Sequence, residues 1–218
     1  MTDRAEIAHP FVASIYDLVV PERTLFASHR ATLAADLSGR VLEIGTGTGA
    51  MFAHVARERS DALEYHAIEP DPYMRDRARE KARDVGLAVD LRDARAESLP
   101  YPDDAFDVVL SAMVFCTIAD PDSAVEEVAR VLKPGGEFRF LEHVHADGAL
   151  GASQELFNPA WRRLAGGCNL DRRTVERFVG TGEFDVLELE QVDFPVPSPI
   201  PFVRGRLRRR RDASFVGC

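Results

Sequence analysis

VLEIGTGTGA, residues 41–50, runs from an apolar stretch through one acidic residue into three alternating glycines. Val41, Leu42 and Ile44 read as a short buried strand. Gly45, Gly47 and Gly49 let the chain turn sharply and bring its backbone against a ligand. Met51, Phe52, Val55 and Ala56 then mark the core face of a helix, whose first N–H groups would face whatever sits over the strand end. Gly45, Gly47 and Ala50 also satisfy the pattern that holds a dinucleotide pyrophosphate. Glu43 argues against that ligand, because a carboxylate two residues before the first glycine suits an ammonium group and repels a pyrophosphate. The ligand is therefore expected to carry a cation.

Outward from this turn the chain alternates strands and helices, the pattern of an α/β protein. Upstream, an apolar stripe of Phe11, Val12, Ile15, Tyr16, Leu18 and Val19 predicts a short helix ended by Pro21, and Arg23 to Ala35 predicts another. Downstream, Tyr65 to Glu69 is a second strand, and Glu69 stands about 20 residues past the glycines, the spacing at which a carboxylate takes ribose hydroxyls. Pro70 follows it. Asp71-Pro72 caps a helix on which Met74 has two equal readings, core residue or adenine neighbour. A third strand is expected at about Leu87 to Leu91, a fourth at Asp107 to Ala112 and a fifth at Glu137 to Glu142. Lys133-Pro134-Gly135-Gly136 stops the helix between the last two. Phe184 to Leu189 and Ile200 to Leu207 complete the set.

LPYPDDAFDVVLSA at 99–112 and VEEVARVLKPGG at 125–136, in this order after the glycine turn, resemble the class I S-adenosylmethionine-dependent methyltransferases of the methyltransferase type 11, UbiE-like kind. That resemblance implies a Rossmann-like, seven-stranded, mostly parallel sheet with an antiparallel last strand and helices on both faces. It implies a single domain over 1–218, with lid helices at 1–38, a cofactor core at 39–143, and substrate-side helices and the last two strands at 144–218. The cofactor is then S-adenosyl-L-methionine. Glu43 takes its ammonium, Gly45, Thr46, Gly47 and Gly49 run beneath its methionine part, and Glu69 and Pro70 border its ribose. Tyr16, in a Tyr-Asp pair on the lid, and Ser111, on the fourth strand, are further expected contacts. Where many relatives have Asp-Ala-Glu this chain has Arg95, Ala96 and Glu97. The adenine is then left to the backbone of Ala96 and Glu97, with Asp93 as a substitute carboxylate.

Glu142-His143-Val144, Asn158-Pro159-Ala160-Trp161 and Gly166-Gly167-Cys168-Asn169-Leu170 narrow the resemblance to the branch that includes alkyl-thiol methyltransferases. The match runs from about Leu33 to Gly205, without the hydrophobic N-terminal anchor of the animal proteins. It implies a small-molecule methyl acceptor. His143, at the end of the fifth strand, is the candidate base, with a structural histidine as the alternative reading. Glu142, Asn158, Trp161, Cys168 and Asn169 are expected to wall the acceptor pocket.

Net charge −9, from 27 Lys+Arg against 36 Asp+Glu, disfavours nucleic acid and anionic membranes as partners. The six arginines between Arg204 and Arg211 are expected to be a solvated strand face that finds internal carboxylates. Cys116, Cys168 and Cys218 form no C-x-x-C pair, so their spacing supports neither a disulfide framework nor a zinc site, and no metal is expected. A reducing cytoplasm fits, with no integral membrane segment, and monomer and dimer both remain open. Two other classes share parts of the pattern: a nicotinamide-dependent oxidoreductase and a non-catalytic nucleotide-binding module.

Overall fold

The computed structural model describes residues 25–58, 62–192 and 200–211. Tyr16, the helix expected at 11–19 and Cys218 lie outside them. The elements are α1 (Ala27–Ala34), β1 (Gly39–Ile44), α2 (Phe52–Val55), β2 (Leu63–Ile68), α3 (Pro72–Val85), β3 (Asp90–Arg92), β4 (Phe106–Ala112), α4 (Pro121–Val131), β5 (Leu132–His143), α5 (Gly148–Leu164), α6 (Thr174–Gly180), β6 (Phe184–Gln191) and β7 (Phe202–Arg209). The strands form one seven-stranded sheet in the order β3-β2-β1-β4-β5-β7-β6. All pairings are parallel except those of β7, which is antiparallel to both β5 and β6.

This order places β1 and β4 side by side at the point where the strand sequence reverses, the crevice at which open α/β sheets hold ligands. The inner strands are apolar on both faces because helices cover both. One core packs Phe138, Phe140, Phe178, Phe106 and the inner face of α4. The other packs Leu33, Val41, Met51, Phe52 and Ala78.

Local chemistry sets the element ends. Asp71 Oδ1 accepts from the backbone N–H of Tyr73 and Met74, and Pro72 opens α3. Asp120 caps α4 in the same way through Ser123 N–H. β3 is shorter and later than expected: Gly86 ends α3 in the left-handed region, and Leu87 N–H bonds back to Ala82 C=O at 2.9 Å, keeping Leu87 in the cap. The Lys133 to Gly136 stretch both ends α4 and enters β5. The β4–β5 register jumps from Phe106↔Leu132 to Val108↔Glu137, so the extra residues bulge outward, where Lys133 meets Asp107 at 2.6 Å. The helix after the glycine turn is a single turn, Phe52–Val55, so the expected helical N-terminus is replaced by a turn braced from the next strand.

Four of the arginines between Arg204 and Arg211 find internal carboxylates, though Arg204 and Arg209 are largely covered instead of solvated. Arg204 pairs with Glu190, Arg206 with Glu137 at 3.0 Å, Arg209 with Asp104, and Arg210 with Asp185 at 2.8 Å. No helix among the described residues is long and apolar enough to cross a membrane.

Candidate active site

A cleft of about 690 Å³ opens over the carboxyl ends of β1, β2 and β4 and is closed on one side by the end of α5. Glu43, Gly45, Thr46, Gly47, Glu69, Pro70, Met74, Ala96, Glu97 and Asn169 all line it, so the structure brings together most of the residues singled out from the sequence. Gly49 is set back, against Phe52 and Ala78, and shapes the turn from behind.

The two acidic strand ends are buried, and burial raises the pKa of both carboxyls. Glu43 Oε2 accepts from Thr46 Oγ1 and Tyr65 O–H, each at 2.8 Å, which opposes that rise. Glu69 Oε2 accepts from Gly47 N–H at 2.8 Å and Oε1 from Asp71 N–H at 2.9 Å. Glu69 thus ties the glycine turn to the start of α3, while burial still pushes its pKa to about 7.

Gly47 has φ +58, and nothing lies within 4 Å of the position a Cβ would take. The turn therefore presents bare backbone to open cleft volume. Gly45, with φ +62, is different, since a Cβ there would stand 2.4 Å from Val114 Cγ1.

Arg95 to Glu97 cross the floor of the cleft. Glu97 Oε1 accepts from the N–H of Ala119 and Asp120, which leaves its backbone for the ligand. Asp93 pairs with Arg75 at 3.1 Å and is absent from the cleft wall, so the substitute carboxylate is held elsewhere.

Several expected contacts serve the fold instead. Ser111 is fully buried and its Oγ donates to Glu142 Oε1 at 2.8 Å. Glu142 also accepts from Val114 N–H at 3.0 Å and Phe115 N–H, so it pins the turn after β4 and does not face an acceptor. Asn158 donates to Asp171 and accepts from Leu170 N–H at 2.9 Å, fastening the loop after α5 to the helix. Neither Asn158 nor Trp161 reaches the cleft wall, and Trp161 is partly exposed.

His143 and Cys168 also stand behind that wall. His143 Nε2 lies 3.1 Å from Cys168 Sγ, and its Nδ1 is buried without a partner. The imidazole expected as a base thus addresses a thiol of its own chain. Cys116 completes the group: the ligating atoms of Cys116, His143 and Cys168 all lie within 4.8 Å of one another. Hydrogen bonds from Cys116 first, and then His143 and Trp161, hold the Cys168 thiol well below its ordinary pKa, while the Cys116 thiol is driven up. The spacing argument against a metal site saw only sequence separation, which the fold removes.

Sequence reasoning missed Arg30 and Arg172, whereas Met113 opens the stretch expected to leave the fourth strand toward the cofactor. Arg30, from α1, is buried in the wall on the Glu43 side. Met113 enters it with φ +62. Arg172 donates to the carbonyls of Phe115 and Ile118, the latter at 2.7 Å, and so clamps the turn after β4. Neither arginine carries a local signal, since each arrives by packing of distant segments.

Residues 42–140 match the family model described as Methyltransferase domain. The ubiquinone/menaquinone biosynthesis C-methyltransferase UbiE of Vibrio campbellii is 34% identical over 65% of this chain and 58% of its own length. A thiol S-methyltransferase of Homo sapiens is 28% identical over 80% of this chain and 72% of its own length. The chain thus spans less than two thirds of the Vibrio protein. A crystal structure of a putative methyltransferase from Bacillus halodurans superposes with TM-score 0.71 at 15% identity, covering 85% of this chain and 99% of that one, and shares the fold. The donor set fits the implied cofactor, with two buried carboxylates for an ammonium and a diol and bare backbone at Gly47 between them. Over residues 42–140 the chain is thus similar to the methyltransferase domain family, and its strand order and cleft agree with that likeness.

Proposed function

We propose that the chain transfers the methyl group of S-adenosylmethionine to a small, apolar, soft nucleophile, an alkyl thiol. The observation that carries this reading is the acceptor-side wall. Along Ala112 to Ile118 and Arg162 to Arg172 the cleft is lined by Ala112, Met113, Val114, Ile118 and Ala165, with Thr117, Asn169 and two glycines as uncharged members, and the charged members are two arginines, Arg162 and Arg172. Such a wall receives an apolar body and stabilises a thiolate, while it disfavours a cationic amine. The human relative named for thiol methylation supports the reading. The Vibrio relative, more identical over a shorter stretch, supports a quinone-like acceptor as the second reading.

In this account Glu43 takes the cofactor ammonium, Glu69 the ribose hydroxyls, and the backbone of Gly45 to Gly47 the methionine part. Pro70 and Met74 border the ribose and base, and the backbone of Ala96 and Glu97 meets the adenine. The bound cofactor supplies an electrophilic methyl on a sulfonium. The chain aligns the acceptor in line with it and keeps water out. A thiol with pKa near 8.5 is already a few per cent thiolate at neutral pH, so little further activation is required.

The test is competition for labelled methyl among an alkyl thiol, a phenol and a quinol of matched size. The labelled thioether is expected, because a thiol gives up its proton more readily than a phenol, which holds its own to about 10. Label on the phenol or quinol alone overturns the thiol assignment.

Glu69 gives a second expected result. Ribose hydroxyls donate best to an ionised carboxylate, and burial raises the Glu69 pKa to about 7. Cofactor affinity should therefore fall as pH drops below 7, by up to about tenfold per unit for one group, and level off above it. The raised Glu43 carboxyl acts in the same direction. Calorimetric titration between pH 5.5 and 8 should show this slope, reduced in Glu69→Gln. Affinity that improves on acidification contradicts the ribose assignment.

A further inference from the structure

Cys116, His143 and Cys168 come from three separate places: the turn after β4, the end of β5 and the loop after α5. Their sulfur and nitrogen atoms converge within 4.8 Å, and Cys116 and His143 are buried. The convergence is built. Asn169 donates to Cys116 C=O twice, through its backbone at 3.0 Å and Nδ2 at 2.8 Å, which locks the Cys168 loop onto the Cys116 turn. Arg172 and Glu142 brace the same turn from the other sides.

We propose that Cys116, His143 and Cys168 form a three-ligand site for a thiophilic divalent cation, Zn²⁺, whose fourth position receives the acceptor thiol. Two thiolates and an imidazole are the soft and borderline donors that zinc selects. Three protein ligands with one open position is the arrangement of catalytic zinc, whereas structural zinc is closed by four. The site adjoins the cleft. Gly167 and Asn169, on either side of Cys168, and Thr117, beside Cys116, line the cleft.

This inference rests on the thiol reading above and deepens it. Coordination deprotonates a thiol outright, so the acceptor's proton passes to solvent and its sulfur is held as thiolate at neutral pH. The sulfur electron pair then forms the new C–S bond as the sulfonium S–CH₃ bond breaks. The products are a thioether and an uncharged sulfide, with no oxidant or reductant consumed. His143 acts in this arrangement as a ligand and not as a base.

The test uses the full-length chain, reduced and freed of metal, titrated with Co²⁺ as a spectroscopic stand-in for Zn²⁺ and then back-titrated with Zn²⁺. One equivalent should bind, with thiolate-to-cobalt charge-transfer absorption and the visible bands of a tetrahedral site. Cys116→Ser, Cys168→Ser and His143→Gln should each weaken binding by at least about a hundredfold, the upper end of what loss of even an outer partner costs. An alkyl thiol added without cofactor should shift the cobalt bands. Circular dichroism of each variant separates loss of ligand from loss of fold, and the metal-free wild type gives the same comparison without substitution. Absence of stoichiometric binding, or binding indifferent to both cysteine replacements, overturns the site. Thiol methylation at full rate by metal-free protein overturns the metal's role and leaves the proposed function standing.

Discussion

Gly47→Val is expected to weaken S-adenosylmethionine binding by at least about a hundredfold, close to 2.7 kcal/mol, while the protein still folds. Gly47 holds φ +58, a region that costs an L-residue about 1–2 kcal/mol and is a marked outlier for a β-branched one. No protein atom lies within 4 Å of where its Cβ would stand, so the new side chain meets no clash inside the fold. It projects from a residue that lines the cleft and occupies volume assigned to the ligand. Unfolding should therefore move down by only about 2–8 °C, the shift that strain of this size produces in a chain of this length. Gly45→Ala makes the contrast, because its Cβ would run into Val114 and disturb the turn itself. Wild-type affinity in Gly47→Val would show that the turn does not touch the cofactor.

Phe138→Ala is expected to destabilise the fold by about 3–5 kcal/mol, the range for removing a fully buried aromatic ring. Phe138 sits on β5 with no exposure, and its ring centroid lies 5.0 Å from Phe178, 5.5 Å from Phe140, 6.0 Å from Phe115 and 6.1 Å from Phe184. It thus joins β5 to α6, to β6 and to the turn after β4 that walls the cleft. The midpoint of thermal unfolding should fall by about 6–20 °C. Phe138→Leu, which refills part of the volume, should recover much of the loss. A drop below about 1 kcal/mol in Phe138→Ala would mean that this ring cluster does not organise the core.

The cleft wall at the ends of β1 and β2 was legible in the sequence because its determinants are local. Glu43 near the end of β1, three glycines at spacing two and Glu69 directly after β2 lie within one short segment, and the place of each carboxylate in the cleft wall follows from where its strand stops. The acceptor half was not legible in this way. Ser111, Glu142 and Asn158 are polar residues at the right ends of the right elements, yet their side chains satisfy one another and nearby backbone N–H groups. Residue type does not reveal whether a carboxylate faces a ligand or a turn. Cys116, His143 and Cys168 are separated by 27 and 25 positions, and only the β4–β5 pairing and the return of the loop after α5 make them neighbours. Arg30 and Arg172 reach the cleft in the same manner, from helix and loop segments whose packing no short pattern encodes.

The central claim is that the cleft above Glu43 and Glu69 is built for a sulfonium cofactor and not for a nicotinamide dinucleotide. Calorimetric titration of the purified chain with S-adenosylmethionine and, separately, with NADPH tests it most directly, with Glu69→Ala alongside. The account predicts one site for S-adenosylmethionine, no binding of NADPH, and a loss of about 1.5–3 kcal/mol in Glu69→Ala, the range for hydrogen bonds to a charged group. Binding of NADPH in place of S-adenosylmethionine, or S-adenosylmethionine affinity untouched in Glu69→Ala, would contradict it.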